Sequence, residues 1–341
     1  MAELDPTHIM QTATAFWPSK VLLTAVELDV FSQLGDRSMT GAELGERLGL
    51  HERGIYDFFD ALVALKFLAR EGDGTEGRYR NTPETATFLI RKSPTYIGGL
   101  PEMLNARLFG FWNDLGEALK TGKPQNELKH GGKSMFEEVY ADPRRLAEFL
   151  RAMSGLQAKN FELLAERFDF SRYRSVTDAG GALALLSRIV AARHPHLTFK
   201  SFDLPPVAPH AQEAIDAAGL HDRITVVSGD FMTDALPSAD VVTMGNILHD
   251  WNTDDKMTLI RKAYAALPPG GAFIAIENVI DDARRENAFG LLMSLNMLIE
   301  FGDAAADYTG ADFRGWCRAA GFKTFDLIPL AGPSSAAVAY K

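Results

Sequence analysis

Three short segments place side chains of useful chemistry after runs of apolar, β-branched residues. They are Asp203 in FKSFDLP, Asp230 in VVSGDFM and His249 in VVTMGNILHDW. A carboxylate at the end of a strand accepts both hydroxyls of a ribose, which suits Asp203, with Leu204 beside it. Asp230 offers an acceptor to an adenine amino group, and Phe231 or Met232 can cover the ring face. Upstream, Asp178-Ala179-Gly180-Gly181-Ala182-Leu183-Ala184 leads directly into LLSRIVAARHPH, and small residues at such a turn let a ligand approach the backbone closely. These strand ends together suit an adenosine.

Positioning them requires a twisted sheet. From about residue 170 the runs SVTDA, LTFKSFD, RITVVSGD, ADVVTMG and AFIAIENVI alternate with stretches long enough for crossover helices. That pattern predicts a doubly wound, Rossmann-like α/β domain over residues 166–341, with FKTFDLIPL and SSAAVAYK as further strands and the second of these closing the sheet. Ligands in such sheets bind beyond the carboxyl ends of the strands, where the winding direction switches.

The preceding half is different in kind. Residues 1–100 read as helices with one hairpin, starting with Val21, Leu22, Ala25, Val26, Leu28, Val30 and Phe31 at helical spacing. Thr40 and Glu43 stand in capping-box positions, and residues 71–82 read as a turn with a returning strand. Helix, turn, helix, helix, wing is the order of a winged helix. A DNA reader with that architecture needs a basic face, yet this segment holds 10 Lys+Arg against 14 Asp+Glu. A dimerisation or pocket-lid role fits better, and the apolar helices of residues 10–35, which would otherwise leave an exposed patch, predict a homodimer. Residues 101–165 read as a helical linker whose aromatics Phe109, Phe111, Trp112, Phe136 and Tyr140 include candidates for lining a pocket.

The whole chain of 341 residues carries 35 Lys+Arg and 45 Asp+Glu, a net charge of −10, with 46% apolar residues and a single cysteine, Cys317. This balance argues against nucleic acid and anionic membranes as partners, and one cysteine excludes an intramolecular disulfide. There is no basic leader followed by an apolar run and no 18-residue uncharged apolar stretch, so the expectation is a protein of the reducing cytoplasm. The histidines other than His249 (His8, His51, His130, His194, His196, His210 and His221) show no metal-ligand spacing with carboxylates, and no metal is expected.

With these residues in place, the chain resembles the class I S-adenosylmethionine-dependent O-methyltransferases of the plant caffeate, bacterial polyketide and acetylserotonin type. The likeness rests on ILHDW, on Asp203 and Gly229-Asp230-Phe231, on LPPGGAF, and on DFRGWCRAAGF. It implies S-adenosylmethionine as cofactor, a small aromatic acceptor, a homodimer, and His249 as general base, with acidic partners at Glu277 and at Asp307, where plant members usually have glutamate. It also implies that Asp178, Gly180, Gly181, Leu204 and Gly245 contribute to the cofactor site, and that Met153, Trp112, Asp250, Asn296 and Met297 contribute to the acceptor site. The chemistry is coherent: a phenol attacks a sulfonium methyl well only once its proton is removed, and a carboxylate on the far ring nitrogen fixes the tautomer of the histidine that removes it.

The chain departs from the family in its glycine loop, where Ala182 and Ala184 replace glycines and Leu183 is bulky. At φ > 0 each added methyl costs about 1 kcal/mol or more. Hence the alternative expectation is a methyltransferase-fold enzyme turned to hydroxylation, decarboxylation or cyclisation.

Overall fold

The computed structural model describes residues 4–93, 95–133 and 135–341, without the side chains of Met135 and Phe136; the aromatic Phe136 therefore lies outside the described residues. The chain forms two compact units, residues up to 110 and residues 111–341.

In the first unit the apolar run at the N-terminus divides into helices Phe16–Glu27 and Val30–Leu34, because Asp29 between them takes a left-handed φ of 58°. Leu23, Ala25, Val26, Val30, Phe31 and Leu34 pack with Leu44, Phe59, Leu62 and Tyr79 into one core. The capping box forms as expected: Glu43 N–H donates to Thr40 Oγ1 (3.2 Å) and Thr40 N–H to Glu43 Oε2 (2.8 Å), starting helix Gly41–Leu48. Strands β1 (Met39–Thr40), β2 (Leu68–Glu71) and β3 (Arg78–Asn81) make the wing, with β3 in the middle. Ile9, Met10, Phe16 and Trp17 stay exposed along helices Thr7–Thr14 and Phe16–Glu27.

The second unit is built on seven strands: β4 (Ser175–Ala179), β5 (Thr198–Asp203), β6 (Ile224–Ser228), β7 (Val241–Gly245), β8 (Ala272–Glu277), β9 (Thr324–Pro329) and β10 (Ser335–Tyr340). Their spatial order is β6-β5-β4-β7-β8-β10-β9; all run parallel except β10, which is antiparallel to both its neighbours β8 and β9. The C-terminal strand thus lies inside the sheet between β8 and β9, and β9 is the edge; the expectation that SSAAVAYK closes the sheet is corrected. The burial pattern explains it, since β10 is buried along Ala336–Ala339 whereas β9 alternates exposed and half-buried residues, as an edge tolerates.

Core strands carry apolar residues on both faces. Val241, Ile274 and Ile276 enter one core while Val242, Met244, Phe273 and Ala275 enter the other. Winding proceeds outward from β4 to β6 and then back to β7 and β8, so the switch point lies between β4 and β7. Among the described residues no helix is long and apolar enough to cross a membrane.

The loop after β4 has the geometry that makes its alanines costly. Gly180 (φ 76°), Ala182 (φ 48°) and Ala184 (φ 53°) all lie in the left-handed region. At Gly180 a Cβ would also crowd Ile247, falling 2.5 Å from its Cδ1. Ala182 is held by its N–H on Asp203 Oδ2 (2.8 Å), and Ala184 by its N–H on the Gly181 carbonyl (2.7 Å). Leu183 packs against Leu146, Leu150 and Val207. Replacement Ala182→Gly should raise the unfolding free energy by about 1 kcal/mol, since glycine adopts this φ without strain. Denaturant titration reads this directly, and a lower midpoint would show that the alanine is not strained.

Candidate active site

The switch point brings the sequence candidates together in two groups. The first surrounds the end of β5. Asp203 is half-buried by residue, and its carboxylate accepts Ala182 N–H at Oδ2 and Leu204 N–H at Oδ1 (2.7 Å), leaving a lone pair on each oxygen. Burial raises its pKa while those two amides oppose the rise. Asp178 lies underneath the loop, accepting from Thr243 Oγ1 (2.8 Å) and Ser187 Oγ (3.5 Å), and desolvation raises it to about 6. Gly181 is packed closely, a Cβ there meeting Ser201 Oγ at 2.3 Å. Gly229 is equally tight against Phe202, whereas at Gly245 an added Cβ would make only ordinary contact with Phe161, at 3.5 Å. Asp230 accepts from Met232 N–H (2.8 Å), and Phe231 meets Trp251 edge-on with centroids 6.0 Å apart.

The second group surrounds His249, which follows β7 after a left-handed Asn246 (φ 52°) in the turn Leu248–Asp250. Its ring lies between two carboxylates: Nδ1 is 3.5 Å from Asp307 Oδ1 and Nε2 is 3.4 Å from Asp250 Oδ1. Glu277, the last residue of β8, accepts the backbone N–H groups of Ile247 (3.2 Å) and Leu248 (3.0 Å), so it anchors the turn that carries the histidine. Burial disfavours the imidazolium, but the fields of Asp250, Glu277 and Asp307 outweigh it and lift His249 to about 10. Desolvation raises Glu277 to about 7 and also raises Asp250. His249, Glu277 and Asp307 offer one nitrogen and two carboxylate oxygens within 4.8 Å, a set that also admits a cation. Linear spacing gave no hint of it, since the three residues lie about 30 positions apart and meet only through the sheet.

Several contributors escape sequence reasoning. Lys256 is buried and donates to the carbonyls of Trp251 (2.6 Å) and Ala306 (2.7 Å), tying the HDW turn to the residue before Asp307. Its one signal is its place on the apolar stripe of helix Thr253–Ala266 with Leu259, Ile260 and Ala263. Lys262 donates to the carbonyls of Phe231, Met232 and Asp234, fixing the loop after β6. Tyr140, by contrast, is one of the aromatics the sequence offered for a pocket; burial raises its hydroxyl pKa, as do Asp203 and Asp250, so it lies near both groups. Of the acceptor-site candidates, Trp112 Nε1–H donates to Asn296 Oδ1 (3.0 Å), Met297 is buried one position further on, and Met153 is half-buried on helix Pro143–Arg167.

An O-methyltransferase domain family matches residues 112–323, and an O-methyltransferase dimerisation domain family matches residues 10–91. The chain belongs to the O-methyltransferases. It is 40% identical over 336 residues to the tetracenomycin polyketide synthesis 8-O-methyl transferase TcmO of Streptomyces glaucescens, covering 98% of this chain and 97% of that protein. It is 35% identical over 315 residues to the N,N-dimethyltransferase OxyT of Streptomyces rimosus, covering 92% and 90% respectively. The crystal structure of human N-acetylserotonin methyltransferase in complex with S-adenosylmethionine superposes with a TM-score of 0.89 at 26% identity, over 100% of this chain and 99% of that one. This O-methyltransferase is thus an S-adenosylmethionine-dependent enzyme with a Rossmann-like catalytic domain and a helical dimerisation domain. The residues present fit the cofactor: a carboxylate with free lone pairs at β5, a close-packed glycine turn at β4 and an aromatic face after β6.

The buried ammonium of Lys256 carries a direct test. Lys256→Met leaves two carbonyls without their donor and should lower stability by about 2–3 kcal/mol. Urea denaturation checks this, and an unchanged midpoint would show that the lysine is not a structural tie.

Proposed function

We propose that this O-methyltransferase methylates a phenolic hydroxyl of a planar aromatic or polyketide-like acceptor, with His249 as general base. The observation that carries the reading is the ring of His249 held between Asp250 and Asp307 at the switch point, in the same unit as Asp203. The names of TcmO, a polyketide synthesis 8-O-methyl transferase, and of the N-acetylserotonin methyltransferase support the acceptor class.

S-adenosylmethionine, when bound, supplies an electrophilic sulfonium methyl. Asp203 takes the ribose hydroxyls, Asp230 the adenine amino group and Phe231 a ring face, while Gly180, Gly181, Gly229, Gly245 and Leu204 shape the cleft and Asp178 supports its loop from below. His249 Nε2 takes the acceptor proton in competition with Asp250, and Asp307 at Nδ1 stabilises the imidazolium that forms. Glu277 holds the turn in register. Met153, Met297, Trp112 and Asn296 contribute to the acceptor pocket. The exposed apolar side chains on the N-terminal helices, within the dimerisation domain, support a homodimer, and the single buried cysteine suits a reducing cytoplasm.

Charge sets the pH behaviour. A base raised to about 10 matches a phenol of pKa about 10, so proton transfer is nearly isoenergetic. The free enzyme is mainly imidazolium at neutral pH, and only the neutral ring can accept the proton.

Two experiments test this reading. His249→Ala should lower kcat for a phenolic acceptor by about 10²–10⁴-fold while calorimetric affinity for S-adenosylmethionine changes little; a variant keeping most of its rate would show that proximity suffices. The wild-type kcat/KM should climb as pH rises above 7. Asp307→Asn deletes a negative charge beside the ring, destabilises the imidazolium and should move that ascending limb to lower pH by about 1 unit. A limb that stays in place would dissociate it from His249.

A further inference from the structure

Buried side-chain atoms of the His249 cluster lack a hydrogen-bond partner among the described residues: His249 Nδ1, Glu277 Oε2 and both carboxylate oxygens of Asp307. All three residues are more than nine-tenths buried. Protein interiors rarely leave such atoms unpaired, so their convergence at one place points to a ligand that they share. One histidine nitrogen and one oxygen from each acid lie within 4.8 Å of one another, and the Nδ1–Asp307 Oδ1 separation of 3.5 Å is near the edge of a tetrahedral zinc site, about 3.4 Å. Only the longer separations must close.

The surroundings also suit a cation. Glu277 Oε1 is fixed by the amides of Ile247 and Leu248, and Lys256 holds the Ala306 carbonyl beside Asp307, so both acids are oriented from behind. On the far side of the ring Asp250 Oδ1 lies 3.4 Å from Nε2, in place to accept the proton of an imidazole ligated through Nδ1. A dication also offsets the buried negative charge of Asp250, Glu277 and Asp307, which Lys256 alone does not balance.

We infer that His249 Nδ1, Glu277 and Asp307 form an inhibitory site for one transition-metal dication of the zinc type. Imidazole in the donor set favours zinc, nickel or cobalt over magnesium and calcium, which prefer oxygen throughout. The cation takes the place of the proton on Nδ1, and the ring's other proton sits on Nε2, donated to Asp250. Nε2 then has no lone pair for the acceptor hydroxyl, and methyl transfer stops. The kinetic half of this inference rests on His249 as general base; the binding half does not.

Zinc chloride titrated by calorimetry into metal-free enzyme saturated with S-adenosylmethionine should bind at one ion per chain, and magnesium chloride should give no heat. His249→Ala and Glu277→Gln should each weaken zinc binding by at least about tenfold, while retained affinity for S-adenosylmethionine shows that the variants are folded. With a phenolic acceptor, zinc should lower wild-type kcat by about 10²–10⁴-fold, as loss of the base does, leave KM unchanged and be reversed by a chelator. No zinc binding by wild type, or equal binding by wild type and both variants, as at an exposed pair such as His221 and Asp222, overturns the assignment. So does binding that leaves kcat unchanged in an enzyme whose His249→Ala variant is inactive. Zinc bound through His249 in an enzyme whose His249→Ala variant keeps its rate would count against the general-base reading alone.

Discussion

A single imidazole buried among carboxylates is the constraint around which the catalytic unit is organised. In a low-dielectric interior carboxylates crowded around one imidazole favour its protonated form, which lifts His249, while burial raises Glu277 and Asp250. The cost of burying such charge is met by backbone partners: Glu277 takes two amides of the HDW turn, and Lys256 bonds the carbonyls on either side of the cluster. These contacts give the acid–base pair a fixed geometry before any acceptor arrives, which is the condition for efficient proton transfer.

The cofactor side obeys a different logic. A glycine loop needs left-handed backbone at alternate positions, and this chain meets the requirement with one glycine and two alanines. The strain is tolerated because each alanine N–H is bonded, one to Asp203 and one to a carbonyl of the loop itself. Asp203, the nucleoside ligand we propose, is thereby also the clasp that keeps a strained loop closed. Leu183, which looks obstructive in the sequence, is absorbed into a small apolar cluster with Leu146, Leu150 and Val207. Nothing in the geometry or the comparisons favours an enzyme turned to hydroxylation, decarboxylation or cyclisation over a methyltransferase.

Much of this was legible in one dimension, and for a definite reason. Strands buried on both faces write themselves as short apolar runs, and the edge strands β6 and β9 keep enough apolar and β-branched residues to be read as well, so the residues after the parallel strands had to lie along one sheet edge. That placed Asp203, Asp230 and His249 in a row before any coordinates. The capping box at Thr40 was equally readable, because it depends on contacts three residues apart. What could not be read were facts with no local signature: that β10 is interior and β9 the edge, that a lysine would be buried behind the HDW turn, and that Tyr140 lies near both Asp203 and Asp250.

The sequence by itself determined the fold class, the alternation that builds the sheet and the place of His249 just after a central strand, because each is encoded in periodicity or in a contiguous motif. Only the tertiary structure decided which carboxylate meets which ring nitrogen, where the loop is strained, and that Trp112 holds Asn296 across 184 positions of chain. Those relations depend on distances of a few ångströms between residues remote in sequence, which packing sets and composition does not record.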